Sequence, residues 1–207
     1  MTQYLARPAW CPDRVPWRAL GSLVIGAGIG CLTSFGQGWV DITLIAFANS
    51  VSMWLVLPFF AGALMKSRRG AGLTGFLACV SELVGYYLTA HLRGLPPGSN
   101  IVIFWLTCSI LGGTVFGVAG SLWRNSPVRL RGLGATVLAA SFLGEGLWTY
   151  THELRYYSDA LLWVAIGLGL AIVLNRGRLR DLGWLVLTLP AALVGEVALT
   201  IISSQPF

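Results

Sequence analysis

Seven apolar runs, each close to the length of a helix that crosses a bilayer, limit what this chain can become. They can be drawn at 19–36, 47–65, 71–92, 101–123, 132–151, 158–175 and 182–203, with only short connections between them. About 20 apolar residues span the hydrocarbon core, and in lipid the backbone must satisfy its own N–H and C=O groups, which runs of this length do as helices. Composition agrees, since 56% of the 207 residues are hydrophobic, 11% are charged and the mean hydropathy is +0.73. That balance excludes an ordinary soluble domain. The expected fold is all-α, a polytopic transmembrane bundle of seven helices, with six as the alternative count.

The formal charge of +6 would suit a nucleic-acid binder if it were gathered on one domain, but its spacing argues otherwise. Seven spans put Arg7, Arg14, Arg18, Lys66, Arg68, Arg69, Arg124, Arg129, Arg131, Arg176, Arg178 and Arg180 on one side and leave Arg93 and Arg155 on the other. Short loops rich in Lys and Arg stay cytoplasmic, so the N-terminus is expected inside and the C-terminus outside. An even helix count would break this alternation. Residues 1–18, with Pro8, Pro12, Pro16, Trp10 and Trp17, read as an interfacial segment, and 19–207 as a single transmembrane domain. The expected location is a bacterial cytoplasmic membrane.

Within the apolar runs three acids stand out: Glu82, Glu145 and Glu196. A charged side chain at mid-bilayer costs roughly 2.5–3.5 kcal/mol on insertion scales, so an acid kept there normally faces the bundle interior and marks function. By depth the three lie at or beyond the midplane on the outer side, together with Trp39, Trp54, Trp105, Trp148, Trp163, Tyr86 and Tyr87. Asn49 and Phe104 fall at similar depth. Two segments, ELVGYYLTAH from Glu82 and EGLWTYTHE from Glu145, both run from glutamate through aromatics to threonine and histidine, a faint internal repeat. The opposite half is glycine, alanine and aliphatic, with a ladder of Gly112, Gly113, Gly117 and Gly120 on the fourth helix, and Ser22, Gly26 and Gly30 recur at four-residue spacing along the first. Small residues at this spacing let backbones approach closely.

A bundle so built would have a packed inner floor and an outward cavity of carboxyl groups and ring faces. An acid kept neutral by desolvation is able to donate a proton. Two uses follow. One is general acid catalysis of a carbocation cyclisation, with ring faces stabilising the cation. The other is recognition of a cationic or aromatic small molecule by a binding or transport subunit. The bland alternative is an aromatic belt with glutamates that only hydrogen-bond neighbouring helices.

In size, helix count, intramembrane acids and absence of an aspartate-rich metal motif, the chain resembles the small seven-helix integral-membrane terpene cyclases of meroterpenoid and indole-terpenoid pathways. The resemblance implies a metal-independent enzyme that protonates a prenylated or epoxyprenylated substrate, with Glu82 as first proton donor and Glu196 as second acid or final base. Glu145 would be a supporting acid. Trp54, Trp105, Trp148, Trp163, Tyr86, Tyr87, Asn49 and Phe104 would shape the substrate cavity.

Other chemistry finds no motif. There is no DDxxD-like run, HExxH, CxxC or P-loop, and His91 and His152 are lone histidines. Cys31, Cys79 and Cys108 inside apolar runs, and Cys11 near the start, read as isolated thiols. The expected partners are a lipophilic small molecule and membrane lipids, with no cofactor, metal, nucleic acid or obligatory protein partner.

Overall fold

The computed structural model describes residues 15–38 and 42–204. Of the segment 1–18 read as interfacial, residues 1–14, Cys11 included, lie outside the described residues, as do Trp39 and Asp41, and residues 15–18 form the start of an α-helix. Among the described residues the fold is all-helical, with no strand. Helices α1 (Val15–Gly36), α2 (Ile42–Asn49), α3 (Val51–Trp54), α4 (Val56–Ala63), α5 (Arg68–Leu92), α6 (Ser99–Asn125) and α7 (Val128–Glu145) follow one another. A π-helical segment, Gly146–Glu153, extends α7. Helix α8 (Tyr157–Leu174), a 3₁₀ turn at Leu179–Trp184 and α9 (Leu185–Ser203) complete the chain.

Five helical stretches among the described residues are long and apolar enough to cross a membrane: Trp17–Gly36, Arg68–Leu92, Ser99–Asn125, Tyr157–Leu174 and Leu179–Ser203. Their faces suit a lipid solvent. On α9 the buried residues are Thr188 and Glu196, whereas Val186 and Val194 are 76% and 69% exposed. That is the reverse of a helix in a water-soluble core, and it is consistent with a membrane location.

The runs read at 47–65 and 132–151 are not single regular helices. The first is broken into α2, α3 and α4. The run is interrupted twice: at Ser50, which is extended (φ −71°, ψ 123°) and caps α3 by accepting a hydrogen bond from Met53 N, and at Leu55, three residues before Pro58. Serine competes for backbone donors and so favours the cap position. Pro58 lies in the first turn of α4 just beyond the second interruption, and it lacks the N–H that would otherwise bond the Trp54 carbonyl across it. The second run is α-helical only to Glu145. Beyond it the hydrogen bonds lengthen to i→i+5, seen in Leu154 N to Thr149 O at 2.9 Å, so the repeat noted between the Glu82 and Glu145 segments is one of sequence and not of backbone.

Helix α5 packs between α1 and α6, α4 lies against α5 and α6, and α7 contacts α6, α8 and α9. The glycine seams form where the spacing predicts close approach. A Cβ on Gly30 would meet the backbone of Glu82 and Tyr86 on α5, and one on Gly117 would meet Ala71 and Gly75. Gly112 departs from the ladder: it faces only the Leu55 side chain. Where α7 and α8 meet, Phe142, Leu138, Trp163 and Tyr150 join Phe59 in a buried core.

Candidate functional site

The helical break at Ser50 needs an acceptor for the N–H groups that open α3, since buried orphan donors are costly. Glu145 supplies it. Ser50 Oγ donates to Glu145 Oε2 at 2.9 Å, Ser52 N to the same oxygen at 2.8 Å, and Val51 N to Oε1 at 3.2 Å. Trp163, fully buried, donates from Nε1 to Ser50 Oγ at 3.0 Å and packs against Phe47 and Tyr150 with ring centroids 4.8 and 4.7 Å away. Glu196 accepts from Thr149 Oγ1 at 2.8 Å, while Trp148 stacks on His152 at 4.5 Å and donates to Thr200 Oγ1 at 3.3 Å. These contacts put Glu145, Glu196, Trp148 and Trp163 in the joint between the broken helix, the π segment, α8 and α9.

The rest of the sequence-predicted site lies elsewhere. A cleft of about 580 Å³ opens between the end of α1, the α2–α3 break, α5 and the start of α6. Asn49, Trp54, Tyr86, Tyr87 and Trp105 line it. The α5 wall is a stripe at helical spacing, Cys79, Leu83, Tyr86, Ala90 and Arg93. Trp54 meets Tyr86 edge-on at 5.6 Å, Tyr86 meets Tyr87 at 5.0 Å, and Phe104 backs Trp105 at 5.0 Å without lining the cleft itself.

A polar chain runs along the same wall. Tyr86 Oη donates to Gln37 Oε1, Gln37 Nε2 donates to Asn49 Oδ1, and Asn49 Nδ2 donates to Ile45 O at 3.1 Å. Arg93 donates to Ser34 O, and its guanidinium stands 4.9 Å over the Phe35 ring. Each bond fixes the next side chain, so polar groups and ring faces are oriented before any ligand arrives. Gln37 and Arg93 were not singled out from the sequence. Arg93 had a legible signal, being seven residues beyond Tyr86 on the same α5 stripe and one of two basic residues on its side of the membrane in the sequence reading.

Glu82 belongs to neither hydrogen-bonded group. Its side chain is 1% exposed, and neither carboxyl oxygen finds a hydrogen-bond partner among the described residues. It sits on α5 between the cleft-lining Cys79, Leu83 and Tyr86, with its backbone against Gly30. Cys31, Cys79 and Cys108 are free thiols, and Cys79 and Cys108 line the cleft.

Fold and site together define an all-helical bundle of membrane type with an aromatic, partly polar cleft at the end away from most of its arginines. The chain belongs to DUF6518, a family of unknown function, whose model matches residues 11–205. No curated protein matches the chain. No solved structure matches it either.

Proposed function

We propose that this protein is an integral membrane protein that binds a lipophilic small molecule with an aromatic or cationic portion in the cleft between α1, α3, α5 and α6. The observation that carries the reading is the cleft itself. Its volume of about 580 Å³ falls within the roughly 300–1,000 Å³ typical of small-molecule sites, which combine apolar walls with a few oriented polar groups. Trp54, Tyr86, Tyr87 and Trp105 supply ring faces, and the Tyr86–Gln37–Asn49 chain supplies fixed donors and acceptors. Seven crossings are proposed, with α2–α4 and α7 with its π extension as the two irregular ones. The basic loops then lie inside and the cleft opens outward, in a bacterial cytoplasmic membrane.

Binding is the step shared by a transport or receptor subunit and by an enzyme. One observation favours the enzyme as a second reading. A buried carboxyl without a partner costs about 1–3 kcal/mol, and Glu82 is such a group beside the cleft wall. As a general acid it would protonate an epoxide oxygen or an alkene carbon of a prenyl chain, opening the C–O bond or leaving a tertiary cation. The ring faces would stabilise that cation during ring closure, and loss of a proton from a neighbouring carbon to a base would end the reaction. This cyclase reading needs no cofactor and rests on Glu82 as donor, because Glu145 and Glu196 are engaged in the separate joint.

Two substitutions test these readings. Trp105→Ala is expected to weaken binding of a farnesylated aromatic probe by roughly tenfold, the scale of a lost desolvated ring contact, measured by ligand-induced thermal shift. Glu82→Gln keeps size but removes the acidic proton. In membranes fed prenylated aromatics with and without terminal epoxides, a cyclase should form isomers of unchanged mass that vanish in Glu82→Gln. Unaltered substrates with retained binding would leave the non-enzymatic reading and end the cyclase one.

A further inference from the structure

We propose that a second cavity, at the basic end of the bundle, holds the phosphate of an anionic phospholipid headgroup. This cavity, of about 520 Å³, is lined by Arg124, Arg131, Arg176 and Arg178 with Asp181 and Trp123. Arginines at the cytoplasmic ends of helices need no ligand, since the positive-inside rule places them there. That rule does not explain why arginines from three separate segments converge on one concavity: Arg124 from the end of α6, Arg131 from the first turns of α7, and Arg176 and Arg178 from the turn after α8. Four positive charges against the single Asp181 leave +3 in a confined space, and like charges held together repel unless an anion joins them.

The walls are fixed by their own bonds. Trp123 Nε1 donates to Leu174 O at 2.9 Å, and Asn175 Nδ2 donates to Ala171 O at 2.8 Å. Arg131 is held by its Nε, which donates to Ser126 O at 2.8 Å, a contact that does not use its two terminal NH₂ groups. Arg176 stands in the left-handed region at φ 53°, where glycine or asparagine is ordinarily found. Its side chain lines the cavity. Guanidinium forks match phosphate oxygens in shape and charge.

The chemistry required is a phosphate. The surroundings select a lipid over the free ion. The lining is mainly polar, with Trp123 and Leu174 as its apolar members, so the choice between the two rests on depth in the bundle. Along α6, Trp105 in the aromatic cleft and Arg124 are separated by roughly 28 Å at 1.5 Å per residue, close to the hydrocarbon thickness of a bilayer. A helix spanning with its aromatic end at one interface thus sets these arginines at headgroup depth on the other, where basic pockets between helices take anionic headgroups.

The test is native mass spectrometry of the purified full chain in neutral detergent with phosphatidylglycerol, phosphatidylcholine or inorganic phosphate added. Phosphatidylglycerol should be retained in preference to phosphatidylcholine, and millimolar inorganic phosphate should not displace it. Arg124→Gln and Arg178→Gln, both at exposed positions, should each lower phosphatidylglycerol affinity roughly fivefold. Arg155→Gln, far from the cavity in the connection before α8, should leave it unchanged. Arg176→Gly relaxes the backbone while removing a guanidinium, so it should fold at least as well and still lose binding. Equal retention of the two lipids, or an equal loss in Arg155→Gln, overturns the proposal. So does displacement by inorganic phosphate, which would mark a site for the free ion, or full retention in a folded Arg176→Gly.

Discussion

Glu145→Ala is expected to lower the thermal unfolding midpoint of the detergent-solubilised protein by roughly 6–12 °C. The carboxylate accepts from Ser50 Oγ, Val51 N and Ser52 N. Alanine leaves those donors in the bundle interior with neither acceptor nor water. At about 1–3 kcal/mol for each buried group left unsatisfied, a total loss near 3 kcal/mol is a lower expectation. The cavity left behind adds to it. The break between α2 and α3 should move as well, because the Glu145 carboxylate is the acceptor that holds the Val51 and Ser52 amide protons in place. Glu145→Gln should be milder, since one amide oxygen remains, but its NH₂ group would face a donor. Differential scanning of the two variants beside wild type checks the order; a Glu145→Ala midpoint equal to wild type would show that the helix break does not depend on this side chain.

Gly117→Ala is expected to be nearly as damaging, although it adds one methyl. Its Cβ would stand 3.0 Å from Gly75 Cα and closer still to Ala71 O on α5, while Gly62 on α4 packs against the backbone of Gly117 itself. Three helices therefore meet at this residue. The obstructing atoms are backbone, so no side chain can turn away, and overpacking of this kind costs about 1–3 kcal/mol. Gly169→Ala on α8 provides the contrast, having nothing within 4 Å of its added Cβ; helix propensity alone should leave it neutral or slightly stabilised. Yields of folded protein after size-exclusion chromatography, compared for the two variants, check the difference.

These two residues also mark how far sequence reading reached. Gly117 was legible, because glycines at three- and four-residue spacing in an apolar run point to close backbone contact. Its neighbour Gly112 looked equivalent yet faces only Leu55, as spacing shows that residues share a stripe without showing which helix covers it. The three glutamates were legible as costly and therefore interior, but not as belonging to different places. Depth along a helix follows from residue number. Which neighbour a carboxyl meets depends on helix packing and on two departures from regular helix, at Ser50 and after Glu145. Neither departure is visible in hydropathy: α2–α4 reads as one apolar run, and the π segment GLWTYTHE keeps an ordinary helical pattern of aromatics. The cleft was half legible. Its aromatic wall follows from composition by depth, whereas Gln37 joins it only because the end of α1 comes beside Tyr86 and Asn49.

The separation of the acids narrows the chemistry. Glu145 and Glu196 are bonded in the joint between helices, whereas Glu82 is buried on α5 next in sequence to cleft-lining residues without lining the cleft itself. The Ser50 break and the π segment meet through Glu145 and through Tyr150 Oη, which donates to Ala46 O at 3.2 Å. Asn49 and Val51 on either side of the break line the cleft, so the stability of that joint and the shape of the binding wall are linked by direct chain connection.

The central claim is that the cleft between α1, α3, α5 and α6 is a binding site, and photolabelling tests it most directly. A farnesylated aromatic carrying a diazirine, activated by light in membranes containing the protein and mapped by peptide mass spectrometry, should label residues within 83–93 and 101–109. Excess unlabelled compound should compete, and Trp105→Ala should reduce the labelling. Labelling that is spread over exposed residues outside the cleft, such as Val186 and Val194 of α9, and that unlabelled compound does not diminish, would contradict the claim.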